Sequence, residues 1–188
     1  GIQSSHGGIA PLAIAELPDE TFLISGGANR GSLYKVDRIG GEVSSPLVEL
    51  PQPIYAKELD ELGYIWATTG GGALLQLDST TGEILNEYGE GITQTLARDP
   101  ETGLIYLSSG DGVEIFDPAT ESWTHFSNLR VGNLEFAPDG SLWATRWPHR
   151  GDVVKFPRKV AIPGQQANNR LEKRPELIAS LDSQVDSL

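Results

Sequence analysis

The chain has 188 residues, with 26 acidic against 14 basic side chains, a net charge of −12, and neither cysteine nor methionine. That length allows one or two domains with a sizeable core, and the absence of cysteine excludes disulfides, zinc–thiolate sites and thiol catalysis. Residues 1–129 hold five basic and 19 acidic side chains, so no basic field exists there to displace phosphate counterions and no nucleic-acid partner is expected.

Taken in order, residues 1–8 are polar and glycine-rich and read as a linker. Residues 9–16 are apolar and strand-like, and LPDE (17–20) makes a turn. Strands follow at 22–25, 33–36 and 47–50, with the glycine-rich loop GGANRG between the first two of these. Four short strands punctuated by turn residues, followed by a short step onward, make one blade of a β-propeller. The second unit repeats the order at 54–59, 64–68, 74–77 and 84–88. In the third, 92–98 leads through the turn DPETG to the hairpin GLIYLSSGDGVEIFD (103–117), and 122–126 closes the blade. The fourth runs through 131–136, the turn APDG, 142–145 and 153–156. Leu33, Leu74, Val113 and Val153 mark equivalent strands, and their spacing of about 40 residues is the period of a propeller array.

After Phe156 the pattern breaks. Residues 158–174 carry Arg158, Lys159, Arg170, Lys173 and Arg174 and read as a basic insertion or loop. Residues 175–188, PELIASLDSQVDSL, read as a closing strand and the start of a further blade, with a helix as the rival because Leu177, Ile178, Leu181 and Val185 have helical spacing. The expected organisation is therefore a linker, blades at about 9–50, 54–88, 92–126 and 131–157, the insertion, and a closing segment. Such a row of blades leaves strand edges uncovered. The expectation is a part of a larger propeller, its missing blades supplied by a longer chain or by self-association. No apolar run is long enough for a membrane span.

The unit GYIWATTGGGALLQLDSTTGEILNEY (63–88) resembles the repeats of streptogramin lyase-like propellers: a strand ending in an aromatic–apolar–Thr step, a Gly-rich turn, an aliphatic strand closed by Asp, then Thr-Gly and a last strand. Residues 99–123 and 138–156 follow the same plan, which is also similar to YVTN, NHL and two-component-regulator repeats, and the likeness covers about residues 9–157. It implies an all-β propeller. Streptogramin lyase and gluconolactonase-type relatives are metal-dependent enzymes with His, Glu, Asn or Asp gathered at a channel mouth. No motif here carries such a residue over, because His6, His125 and His149 do not recur with the blades.

In this architecture, loops between second and third strands share a face with the steps between blades. That face would carry Asn29, Arg30, Gln52, Glu90, Asp111, Asn128, Arg130, Arg146, Trp147, His149 and Arg150. The densest patch is TRWPHR (145–150) opposite Asn128–Arg130. Arginines beside an indole suit a carboxylate, phosphate or sugar, held by forked hydrogen bonds and stacking. His149 is a candidate proton shuttle, although an ordinary loop histidine is the simpler reading, and His125 is placed on an outer strand facing solvent. Arg150-Gly151-Asp152 spells the tripeptide that integrins engage, but Gly151 and Asp152 fall at the repeat's ordinary turn. Asp37, Asp78 and Asp117 close equivalent strands; one oxygen donor per blade falls far short of a calcium shell, and turn initiation accounts for them. Phe22, Trp66, Tyr106 and Trp143 recur on second strands and are expected to be packing residues.

These readings converge on a non-enzymatic binding or scaffolding module of a larger extracytoplasmic, bacterial protein. Its partner would be a small anionic or carbohydrate ligand, or a protein, on the loop face. Two alternatives stand beside it: a metal-dependent lyase or lactonase-type enzyme using a divalent cation, and the sensor propeller of a signalling protein. No cofactor is expected on the first reading.

Overall fold

Strands account for the regular structure of a computed structural model that describes residues 13–17, 19–25, 31–43, 45–52, 54–148, 151–159 and 170–181. Among the described residues, fifteen strands fall into antiparallel up-and-down meanders. The first meander is β1 (Ala13–Glu16), β2 (Thr21–Ser25), β3 (Ser32–Asp37) and β4 (Val48–Glu49), in chain order. The second is β5 (Ala56–Leu59), β6 (Tyr64–Thr68), β7 (Gly72–Asp78) and the first part of β8 (Ile84–Arg98). The latter part of β8 opens the third meander, followed by β9 (Ile105–Ser109), β10 (Gly112–Asp117) and β11 (Ser122–Ser127). The fourth is β12 (Val131–Phe136), β13 (Leu142–Arg146), β14 (Asp152–Phe156) and β15 (Glu176–Ser180). Four-stranded meanders of this kind are propeller blades, and the chain is all-β.

The chain divides into two compact units, Gly1–Gln94 and Thr95–Leu188. In the first, Leu23, Leu33, Ile54, Ile65, Leu75 and Leu77 form one core. Its second-blade strand β6 is the most deeply buried: Ile65, Trp66, Ala67 and Thr68 are buried consecutively, so both faces of β6 are covered. Each such Leu or Ile contributes about 1.5–3 kcal/mol by leaving water, and a one-residue slip would turn the whole set to the wrong face. Trp66 adds a polar tie, its indole N–H donating to Asp60 Oδ2 at 2.9 Å. Late in this unit β8 changes role. Leu74 pairs with Tyr88 but Gly72 pairs with Ile92, and Gly89 and Gly91 take positive φ within the extra residues. That bulge separates a strand that closes one blade from the strand that opens the next.

The second unit is built around Tyr106, Val113, Phe126, Leu134, Leu142, Val154, Phe156 and Leu171. Tyr106 meets the rings of Phe126 and Phe136 edge-on at 5.2 and 5.4 Å. Beneath them, inner strands are tied by hydroxyls: Ser108 Oγ accepts from Thr95 N at 3.0 Å, and Thr95 Oγ1 donates to Asn133 Oδ1 at 3.2 Å. Of the recurring aromatics, Trp66 and Tyr106 are buried, while Phe22 and Trp143 are half-buried. Trp143 repeats the tie of Trp66, with Nε1 donating to Ser141 Oγ at 2.9 Å.

Turns at the Asp-bearing end close on themselves. Asp37 accepts from Ile39 N at 2.8 Å, Asp78 from Thr80 N and Thr81 N at 2.8 and 2.9 Å, and Asp117 from Ala119 N at 3.0 Å. These are side-chain-initiated turns. The Thr81 and Thr80 amides hold the Asp78 carboxyl below its ordinary range, and Ser141 does the same for Asp139.

The basic segment after Phe156 has built-in ends. Arg158 bridges to Leu171, Lys159 N donates to Arg170 O at 3.0 Å, and Glu172 N donates to Pro157 O at 2.7 Å. Leu171 is core, so a stem of paired backbone stands where the sequence reads as a loop. β15 resolves the choice between strand and helix for its span, pairing Leu177 with Val154 and Ala179 with Val153.

Candidate functional site

In the second unit, the up-and-down order brings the ends of β9, β11 and β13 to one side, with residues 110–111, 128–130 and 147–148 following them. The first two abut. A side chain on Gly112 would begin 2.0 Å from Ser127 O and 2.9 Å from the Asn128 backbone, and Gly112 takes φ 129°. Only glycine lets the 127–128 backbone lie this close to the start of β10.

Asn128 and Arg130 are exposed, and the Arg130 guanidinium has no hydrogen bond or ion pair among the described residues. Arg130 O accepts from Trp147 N at 3.0 Å, which brings the two backbones together. Trp147 is 37% exposed, and its Cε3 lies 3.8 Å from where a side chain on Gly132 would begin. A cis peptide joins it to Pro148.

Arg146 has a different task from Arg130. Its Nη1 donates to Asp152 Oδ2 at 3.0 Å, while Ser180 Oγ donates to Asp152 Oδ1 at 2.6 Å. The pair ties the end of β13 to the start of β14 and to β15, and leaves the buried Arg146 Nε without a hydrogen-bond partner. Asp152 thus serves the sheet, which gives the acid of the Arg-Gly-Asp tripeptide a structural use. Asn29, Arg30, His149 and Arg150 lie outside the described residues, as does His6. Gln52 and Glu90 are exposed residues of the first unit.

His125 is on the outermost strand and exposed, as its sequence position implies, yet it is fully engaged. Its Nδ1 lies 2.9 Å from Glu114 Oε1 and its Nε2 lies 2.7 Å from Asn128 Oδ1. A bulge between Val113 and Glu114 sets this up: Val113 pairs with Ser127, but Glu114 pairs with His125. Hydrogen bonds to Glu114 and then Asn128 raise the imidazole pKa above its ordinary value; desolvation opposes them, and the charges of Glu114 and Asp111 add to the rise. Ser109 links the two acids, its Oγ donating to Glu114 Oε1 at 3.4 Å and accepting from Asp111 N at 3.2 Å.

At the opposite end of this unit, Arg158 reaches Asp99. Its Nη1 and Nη2 donate to Asp99 Oδ2 and Oδ1 at 2.8 and 2.9 Å, a forked pair on a carboxylate that is 0% exposed. Glu101 lies 3.4 Å from Nε, and the Phe136 ring faces the guanidinium at 5.9 Å. Burial works against the charge, but the bonds to Asp99 and the charges of Asp99 and Glu101 outweigh it and hold Arg158 above its ordinary pKa. Burial and the charge of Asp99 push the Tyr106 phenol up to about 12, opposed by Arg158 and Arg170. The structural clusters at Asp99 and His125 escape sequence reading, because each joins residues far apart or out of simple register. Among the described residues, no group of three or more His, Asp or Glu is placed to hold a metal ion, and no helix is long and apolar enough to cross a membrane.

Neither a protein-family model nor a curated protein matches the sequence. Solved structures do. Virginiamycin B lyase from Staphylococcus aureus aligns with TM-score 0.64 and 16% identity, over 90% of this chain and 56% of that one. An auxiliary nutrient binding protein from Bacteroides thetaiotaomicron aligns with TM-score 0.66 and 15% identity, over 92% of this chain and 42% of that one. The extracellular domain of a putative one component system from the same organism aligns with TM-score 0.62 and 16% identity, over 90% of this chain and 24% of that one. The chain therefore spans about half or less of the length of these structures. At such identity the likeness is one of fold, and the expected streptogramin lyase-like propeller architecture is borne out.

Proposed function

With a propeller fold as the premise, we propose that this chain is a binding module of a larger extracytoplasmic protein, and that it recognises a small anionic or carbohydrate ligand at the loop end of its second unit. Arg130 supplies the charge and forked donors, Trp147 the stacking surface, and Asn128 a further hydrogen-bonding group. Arg146 acts indirectly, holding the 147–151 connection through Asp152. The observation that carries this reading is the exposed Arg130 guanidinium, without a partner among the described residues, on a residue whose backbone carbonyl accepts from the backbone N–H of the 37%-exposed Trp147. An Arg already committed to a carboxylate would have no such capacity, as Arg146 illustrates. The fold likeness to structures described as nutrient binding and as an extracellular domain is compatible with binding and with an extracytoplasmic setting. On this reading Asp111 borders the site and disfavours multiply charged anions.

Titration of the full chain with glucuronate, glucose and inorganic phosphate at millimolar concentration, followed by tryptophan fluorescence and NMR, tests this. Glucuronate should perturb Trp147 and the Arg130 amide, and Arg130→Ala should weaken it at least about tenfold, the loss of one charge-assisted contact. Perturbations confined to other residues, or no binding by any of the three compounds, would sink the proposal.

A further inference from the structure

We propose that His125 decides, through its protonation, which end of the Asn128 side-chain amide the loop end presents: a donor while the imidazole is charged, an acceptor once it is neutral. This rests on the loop-end binding reading for its functional meaning, while its chemistry stands apart from any ligand.

The ring nitrogens of His125 face two acceptors, the Glu114 carboxylate at 2.9 Å and the Asn128 carbonyl oxygen at 2.7 Å. Only imidazolium has an N–H for each. In that state the Asn128 oxygen is turned inward and its Nδ2 hydrogens point away, on the same connection as Arg130. Loss of the proton leaves Nδ1–H on Glu114, the stronger acceptor, and a bare lone pair on Nε2. Two acceptors would then oppose each other at 2.7 Å. The least costly remedy is a half-turn of the amide, so that Nδ2 donates to Nε2 and the carbonyl faces outward.

The surroundings confine the change to that amide. The Asn128 backbone is packed against Gly112 with no room for a side chain between. Leu129 N is held by Ser127 Oγ at 3.1 Å, and Arg130 O by Trp147 N at 3.0 Å. The charged groups facing the imidazole are Glu114 on β10 and Asp111 on the β9–β10 turn, both acidic. They favour imidazolium, with Arg130 the nearest cation along the chain at two residues beyond Asn128. Below the His125 midpoint the site therefore offers Arg130 and an amide donor together and selects carboxylates. Above it, an acceptor stands beside Arg130 and selectivity moves towards hydroxyl donors.

NMR on the full chain between about pH 5 and about pH 9, the range a histidine covers, reads this directly. The Asn128 side-chain NH2 resonances should move with the same midpoint as the His125 ring, and Glu114→Gln should lower both midpoints together. His125→Gln should abolish the Asn128 titration while leaving the chain folded. A flat Asn128 amide in the wild type, or a midpoint unmoved by Glu114→Gln, would overturn the proposal. With glucuronate as probe, affinity should fall as pH rises through the midpoint and become insensitive to pH in His125→Gln. Absence of glucuronate binding at every pH would count against the binding reading, whereas the ligand-free titration alone decides the amide switch.

Discussion

Replacing Asp99 by alanine should loosen the stem at 157–172 and destabilise the second unit. In the native protein, Asp99 is 0% exposed and accepts two forked bonds from Arg158, which is itself 12% exposed at its side chain. It also accepts from Glu101 N at 2.9 Å. The variant leaves a guanidinium with Glu101 at 3.4 Å as its nearest acid, and that carboxylate is 46% exposed, so little of the lost attraction is recovered. Removing one partner of a buried pair typically costs about 3–5 kcal/mol; the residual Glu101 contact and the Phe136 ring place this case near the lower figure, at about 3 kcal/mol. Arg158→Met should cost at least as much, because it strands a carboxylate rather than a half-shielded cation. The two substitutions share one interaction, so their double variant should fall short of additivity by about 2 kcal/mol. Urea denaturation of the full chain measures the global part. Amide exchange at Lys159 and Glu172, whose N–H groups bond Arg170 O and Pro157 O, measures the stem. If the stem opens first, exchange there should accelerate by about 100-fold, the equivalent of about 3 kcal/mol. Single variants that each cost under about 1 kcal/mol, with unchanged exchange at Lys159 and Glu172, would refute the view that this pair is a buried anchor.

Three further outcomes follow from the same structure. Alkaline titration at the tyrosinate absorbance band should show Tyr106 ionising near pH 12, and Arg158→Met should delay it further; ionisation of Tyr106 near the ordinary phenol value of about 10 would show the ring to be wet. Gly112→Ala should cost about 3 kcal/mol or more, since φ 129° and a contact at 2.0 Å are both incompatible with a methyl group, and urea midpoints would reveal it. Asp78 and Asp139 have folded pKa values below 3.8, so their contribution is complete above that value and drains as pH falls through the depressed folded pKa; Asp78→Asn, which keeps a turn-forming oxygen, should flatten part of the acid limb in a pH series of thermal melts.

Turn chemistry made the fold readable. Asp37, Asp78 and Asp117 stand at strand ends, and each closes a turn within three residues, so local sequence contains the whole cause. Second strands were readable for a related reason: Ile65 to Thr68 and Ile105 to Ser108 are buried without interruption, and runs of apolar residues announce that. The loop-end grouping of Arg130, Arg146 and Trp147 was also legible, because it follows from which strand ends share a side. What each does was not. Arg146 and Arg130 look alike in sequence, and only the position of Asp152 at the start of β14 separates a structural arginine from one without a partner among the described residues. His125 was hidden by one residue of register. Continuing the Val113–Ser127 pairing without a bulge would set His125 opposite Ile115, on the other face from Glu114. Arg158 and Asp99 are 59 residues apart, and nothing local in either segment points to the other.

The self-closed Asp turns have a practical corollary. Each of these turns carries its own instructions within a few residues, so the strand pairs begun at Asp37, Asp78 and Asp117 need no distant segment to set their register. β13 and β14 are joined at the other end, with no such turn among the described residues between them. Their end is latched instead by Arg146 on Asp152, so any redesign of the chain between these two residues has to keep that arginine–aspartate pair.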